Sequence, residues 1–109
     1  MDADFYQSEA MKTVNLDLSE KDKMAEAIMG IAGEAGEVVG CYSKKHFQGH
    51  HLDDLDLIIE MGDVIWYITQ AAVSMGYSLS DVLQANLDKI HRRFPDGVFS
   101  AERSINRGE

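Results

Sequence analysis

Cysteine, proline, positive charge and long apolar runs are all scarce in this 109-residue chain. The single Cys41 cannot close an internal disulfide, so a reducing, cytoplasmic setting is expected. One proline and nine scattered glycines exclude a linker-like or low-complexity chain, and a hydrophobic share of 45% points to an ordered core. Ten Lys and Arg stand against nineteen Asp and Glu, a formal charge of -9. Such a field repels nucleic acid and anionic membrane surfaces, so neither is expected as a partner, and a polyanionic ligand would need a cation beside it. The longest apolar region, Leu55 to Met75, is interrupted by Asp56, Glu60, Asp63, Thr69, Gln70 and Ser74, which excludes a membrane span. The opening "MDADFYQSEAMK" lacks the basic start and apolar centre of a secretory leader. One soluble domain over residues 1–109 is expected, near the size at which partner subunits often add buried surface.

What the chain does have is helical periodicity. Apolar residues recur at three and four rather than at two, so the fold class expected is all-α. A short first helix covers about Asp4 to Lys12. Ser19 caps a second, with Asp22 in an acid-rich first turn and an apolar stripe of Met24, Ala27, Ile28, Ile31, Ala35, Val38 and Tyr42. Gly30, Gly33, Gly36 and Gly40 each cost that helix up to about 1 kcal/mol relative to Ala, so a close-packed helix or ligand is expected to compensate. The segment "KKHFQGHHLDD", with Gly49, breaks the period and reads as a loop. A third helix, about Asp53 to Met75, is apolar on nearly every side and reads as a central helix buried on several faces. Three amphipathic helices of this length cannot cover it, so the chain is expected to be at least a dimer. Gly76 ends it, and Ser78 or Ser80 starts a fourth helix with the stripe Val82, Leu83, Leu87 and Ile90, closed by Pro95 and Gly97. The tail "VFSAERSINRGE" has no clear period and reads as an extended arm.

Two pairs of carboxylates sit where apolar residues would be expected. Glu34 and Glu37 in "GIAGEAGEVVG", and Glu60 and Asp63 in "IIEMGDVIWYI", share an i, i+3 spacing that presents both acids of a pair to one point in space. The second and third helices should pack antiparallel across their short loop, which sets Glu37 and Glu60 at similar heights, so the four acids can converge. Left alone, such a cluster repels itself or takes up protons, and the facing stripes supply no four matching Arg or Lys. A hard divalent cation, Mg²⁺ with Mn²⁺ as a substitute, resolves this, and such ions are usually shared with substrate phosphates.

The fourth helix brings the opposite charge. In "NLDKIHRRFPDG", Asn86, Lys89 and Arg93 share one face at i, i+3, i+7, with Arg92 beside it. Cations in a last turn also suit the helix dipole, whereas Asn86, among Leu83, Leu87 and Ile90, reads as a buried amide that needs defined partners. His46, His50 and His51 could suggest zinc, but the loop glycine breaks the helix that an i, i+4 pair needs. Trp66 and Tyr67 could stack on a base, with Trp66 read first as core, and Tyr6, Gln7 and Tyr42 are equally loose candidates for base contacts.

In the order "FYQSEAMKT", "GIAGEAGEVVGCYSKK", "EMGDVIWYI", "NLDKIHRRFPDG" and "SINR", these segments resemble the MazG-like all-α nucleoside triphosphate pyrophosphohydrolases, in their compact single-domain form. The resemblance spans nearly the whole chain, and its specific part is the pairing of E-x-x-E with E-x-x-D. It implies a helical bundle of about four helices per chain, its four-helix core completed in a homodimer or homotetramer. It further implies Glu34, Glu37, Glu60 and Asp63 as Mg²⁺ ligands, Asn86 and Lys89 against substrate phosphates or metal, and hydrolysis of a nucleoside triphosphate to the monophosphate and pyrophosphate. The bound metal would neutralise the triphosphate and make a water more acidic, while Lys89 and Arg93 would meet the leaving pyrophosphate. Glu37, furthest from the apolar stripe, is the candidate base for that water. Two alternatives remain: a phosphoribosyl-ATP pyrophosphohydrolase, which resembles this group, and a non-catalytic helical module bridged by metal.

Overall fold

A computed structural model describes residues 1–49, 51 and 53–106. Its elements are α1 (Ala3–Ala10) with a 3-10 turn at Met11–Thr13, α2 (Glu20–Phe47), α3 (Asp54–Ser74), α4 (Leu79–Arg93) and α5 (Ala101–Ile105). The described residues contain no strand, as the periodicity requires. No helix among them is long and apolar enough to cross a membrane. The chain forms two compact units, Met1–Leu79 and Ser80–Glu109.

The first unit is built on α2 and α3. Ser19 caps α2 by accepting a hydrogen bond from the Asp22 backbone N–H (3.1 Å). At the far end α2 continues through Lys44, Lys45, His46 and Phe47, so the loop is shorter than the sequence reading has it. Three basic side chains in that last turn favour the helix carbonyl end, which explains the extension. Asp53 and Asp56 form a reciprocal capping box that starts α3. Its end is a Schellman arrangement: the Tyr77 N–H donates to the Ala72 carbonyl (2.9 Å), the Gly76 N–H donates to Val73 (3.0 Å), and Gly76 takes φ +83°.

The two long helices run antiparallel. Gln70 Nε2 near the end of α3 donates to the Lys23 carbonyl (2.8 Å) and to Glu26 Oε1 (3.2 Å) near the start of α2, and Lys45 at the other end of α2 pairs with Asp54 (3.5 Å). The buried residues of the two helices are Ala27 on α2 and Thr69, Gln70, Ala71 and Ala72 on α3, all at one end of the pair. Here the expectation of a third helix buried on several faces is not met within the single chain. Leu55, Ile58, Ile59, Met61 and Ile65 are all exposed. Of the four α2 glycines, Gly30 alone has a side chain at the place a Cβ would occupy; Gly33, Gly36 and Gly40 face open space.

Helix α1 is tied to α3 by Trp66, whose Nε1 donates to the Ala10 carbonyl (3.2 Å) and to Thr13 Oγ1 (3.0 Å). Trp66 is therefore half-buried rather than core. Gln7, a loose candidate for a base contact, accepts the Leu79 backbone N–H (2.7 Å) instead. In the second unit the expected extended arm is replaced by a short helix, α5, capped by Ser100 accepting from Arg103 N–H (3.3 Å). A Ser followed by Ala-Glu-Arg carries that start signal, but five residues are too few for a period to show.

Candidate metal centre

Antiparallel register brings the acids of α2 and α3 to one level. Glu34 lies one turn beyond Gly30, and Asp63 one turn before Tyr67, the residue that covers Gly30, so Glu34 and Asp63 occupy the next rung of the helix pair. One carboxylate oxygen from each of Glu34, Glu60 and Asp63 lies within 4.8 Å of the other two. Among the described residues this is the group of three metal-ligating side chains that comes so close together. Glu34 and Glu60 are half-buried and Asp63 is exposed, so the cluster opens to solvent on one side.

Its electrostatics follow from that crowding. The Glu34 carboxyl is held above its ordinary value, first by partial burial and then by the negative charges of Asp63, Glu60 and Glu37, in that order. Glu37 thus acts on the site through its charge while its side chain is exposed, outside the tight trio. The ion pairs Lys12–Glu9, Lys23–Glu20 and Lys45–Asp54 occupy other parts of the unit. Three carboxylate donors with one open side suit a hard divalent cation that completes its shell with water or ligand oxygens. Soft metals find no thiolate here.

The sequence reading underweighted one residue. Tyr6 on α1 has its phenol pushed above the usual range by burial and then by the charge of Asp63. It also walls a cavity of about 380 Å³ together with Phe5, Ala10, Thr13 and Trp66. The signal was an aromatic on a short leading helix, which carries no spacing rule of its own.

Asn86, Lys89 and Arg93 lie on α4, in the second unit. Asn86 is exposed rather than buried, as is every α4 residue from Asp81 to Arg92, the expected stripe of Val82, Leu83, Leu87 and Ile90 included. His46 stacks on Tyr42 (5.5 Å between centroids) and His51 lies 3.4 Å from Asp53, so neither joins a ligand cluster; His50 falls outside the described residues.

The MazG nucleotide pyrophosphohydrolase domain matches residues 22–98, a span holding all four acids and all three α4 residues. The Gene 37 protein of Mycobacterium phage L5 is 34% identical over 108 residues, covering 90% of this chain and 93% of that protein. No solved structure gives a significant match.

Proposed function

We propose, from the premise that this chain belongs to the MazG nucleotide pyrophosphohydrolase family, that it hydrolyses a nucleoside triphosphate, ribo or deoxy, to the monophosphate and pyrophosphate in a metal-dependent reaction. The observation that carries this is the convergence of Glu34, Glu60 and Asp63 between α2 and α3. A phosphate-binding hydrolase that surrounds its site with carboxylates needs a cation to bring an anionic substrate in. Glu34, Glu37, Glu60 and Asp63 would hold Mg²⁺, or Mn²⁺ in its place. Bound there, the ion would supply charge neutralisation for the triphosphate and Lewis-acid polarisation.

The rest of the chemistry belongs to the chain. Glu37, which is exposed, is assigned as the base that accepts a proton from the attacking water. Lys89, Arg93 and Asn86 are assigned to the phosphates, with the two cations offsetting charge on the leaving pyrophosphate. The cavity that Tyr6 lines with Phe5 and Trp66 offers a mainly apolar, aromatic wall and is the place assigned to the base. The whole chain is taken as one MazG-like domain that works in the cytoplasm as a homodimer or homotetramer, in nucleotide-pool control.

The test is a panel of common NTPs and dNTPs, with phosphoribosyl-ATP included, incubated with Mg²⁺ and scored for monophosphate and pyrophosphate. Release of pyrophosphate that stops in excess EDTA is the expected result. Turnover undiminished by EDTA, or Mg²⁺ binding without turnover of any substrate, would overturn the reading, the second outcome in favour of a metal-bridged module.

A further inference from the structure

We infer that Gly30, by leaving room for the Tyr67 ring, lets α2 and α3 approach closely enough to hold the acid cluster together, and so is a positioning residue for its metal affinity. This rests on the metal reading above. A Cβ built on Gly30 would fall on the Tyr67 ring, 2.6 Å from Cγ. Since carbon atoms settle about 3.5 to 4.0 Å apart, a methyl group there would require a displacement of about 1 Å. Because the clash reaches back to Cγ, rotating the ring about its own axis cannot relieve it; the whole side chain or the helix has to move.

The position of this contact gives it leverage. Gly30 precedes Glu34 by four residues and Tyr67 follows Asp63 by four, so the ring sits about 6 Å along the helix axes from the cluster. A helix transmits a shift over one turn almost undiminished. Where the helix yields rather than the side chain, a displacement near 1 Å at the neighbouring rung is several times the roughly 0.2 Å within which metal–ligand distances fall. The other α2 glycines give the contrast. A Cβ on Gly40 meets nothing within 4 Å, so glycine is required at position 30 by this ring and not by the helix as a whole. The three atoms nearest to a Cβ at position 30 all belong to the Tyr67 ring.

The experiment titrates Mn²⁺ alone into the full-length protein and follows free Mn²⁺ by EPR, with a metal-free melting curve for each variant. Gly30→Ala is expected to weaken Mn²⁺ binding by about tenfold or more, in the range that outer-shell changes at metal sites produce. The double variant Gly30→Ala with Tyr67→Ala, which makes room for the methyl group, should recover most of that loss. Tyr67→Phe and Gly40→Ala should bind as the unaltered protein does. A purely structural contact would lower the melting temperature of Gly30→Ala yet leave the Mn²⁺ affinity of the folded protein unchanged, and that result overturns the inference. So does a tenfold loss in Tyr67→Phe, which would assign the effect to the hydroxyl. Where Gly30→Ala alone does not fold, the double variant still has to fold and bind Mn²⁺. Absence of Mn²⁺ binding by the unaltered protein overturns this inference and the metal reading together, whereas equal binding by unaltered and Gly30→Ala protein overturns this inference alone.

Discussion

Asp63 is the residue at which a metal site and a structural ion pair make opposite demands. If it repels Glu34 and Glu60 in the metal-free protein, Asp63→Asn should raise the melting temperature in EDTA while activity falls. The loss should exceed roughly a hundredfold, since changes even one shell out cost 10- to 100-fold. Melting with EDTA and with Mg²⁺, beside a pyrophosphate-release assay, decides it; a variant that melts lower in EDTA and keeps its activity would remove Asp63 from the site. Glu34 makes a second prediction through pH. Its carboxyl is raised in the folded protein, so the native state holds that proton to higher pH than the unfolded chain does. The stability that this group contributes to the metal-free protein should therefore be fully present below the ordinary glutamate value and be lost as pH rises through the raised one. Saturating Mg²⁺ should reverse the slope, because the ion binds the ionised form. Melting temperatures in EDTA over about pH 4 to pH 7 should fall more steeply for the unaltered protein than for Glu34→Gln; equal slopes would refute the coupling. At this scale the convergence of Glu34, Glu60 and Asp63 was legible, because i, i+3 spacing fixes which acids share a helix face. What spacing could not give was depth: Glu37 and Asn86 are both exposed.

Helix ends decide where the acids sit along α2 and α3, and their energetics are testable one residue at a time. Gly76 adopts φ +83°, so Gly76→Ala should cost about 1–2 kcal/mol in urea unfolding, the usual cost of the left-handed region for a residue with a Cβ. Gly40→Ala, in open space on α2, should instead gain up to about 1 kcal/mol. A destabilised Gly40→Ala would mean that something packs against that face. The start of α2 and the end of α3 were readable because caps are local: Ser19 with Asp22 and Gly76 each act within a turn of themselves, whereas the equally local Asp53–Asp56 box was not read and Asp53 was taken as helical. The end of α2 was not, because Gly49 pulls the reading toward a loop while Lys44, Lys45 and His46 favour the helix. The Gly30 contact was invisible for a related reason. Four glycines on one helix look alike in sequence, and only the register with Tyr67 separates the first from the others.

At the scale of the whole molecule, the apolar character of α3 has not been used up. Leu55 is 62% exposed, Ile58 59% and Ile59 56%, and on α2 Met29 and Val39 are more exposed still. Single exposed apolar residues are ordinary, but a helix that alternates them with the acids of a binding site over several turns is a surface that water does not stabilise. Covering it with a second copy would bury apolar area at roughly 25 cal/mol per Å² before the costs of association are met, and would complete a four-helix core from two α2–α3 pairs. Sedimentation at micromolar concentration should therefore give a mass at least twice that of the 12.2 kDa chain. Ile58→Glu, which places a charge on that face without touching Glu60 or Asp63, should shift the mass toward the single chain. Activity should fall with it if the cover also shapes the site. A single-chain mass for the unaltered protein would end the oligomer reading and leave the three-acid site standing, since Glu34, Glu60 and Asp63 already meet within one chain.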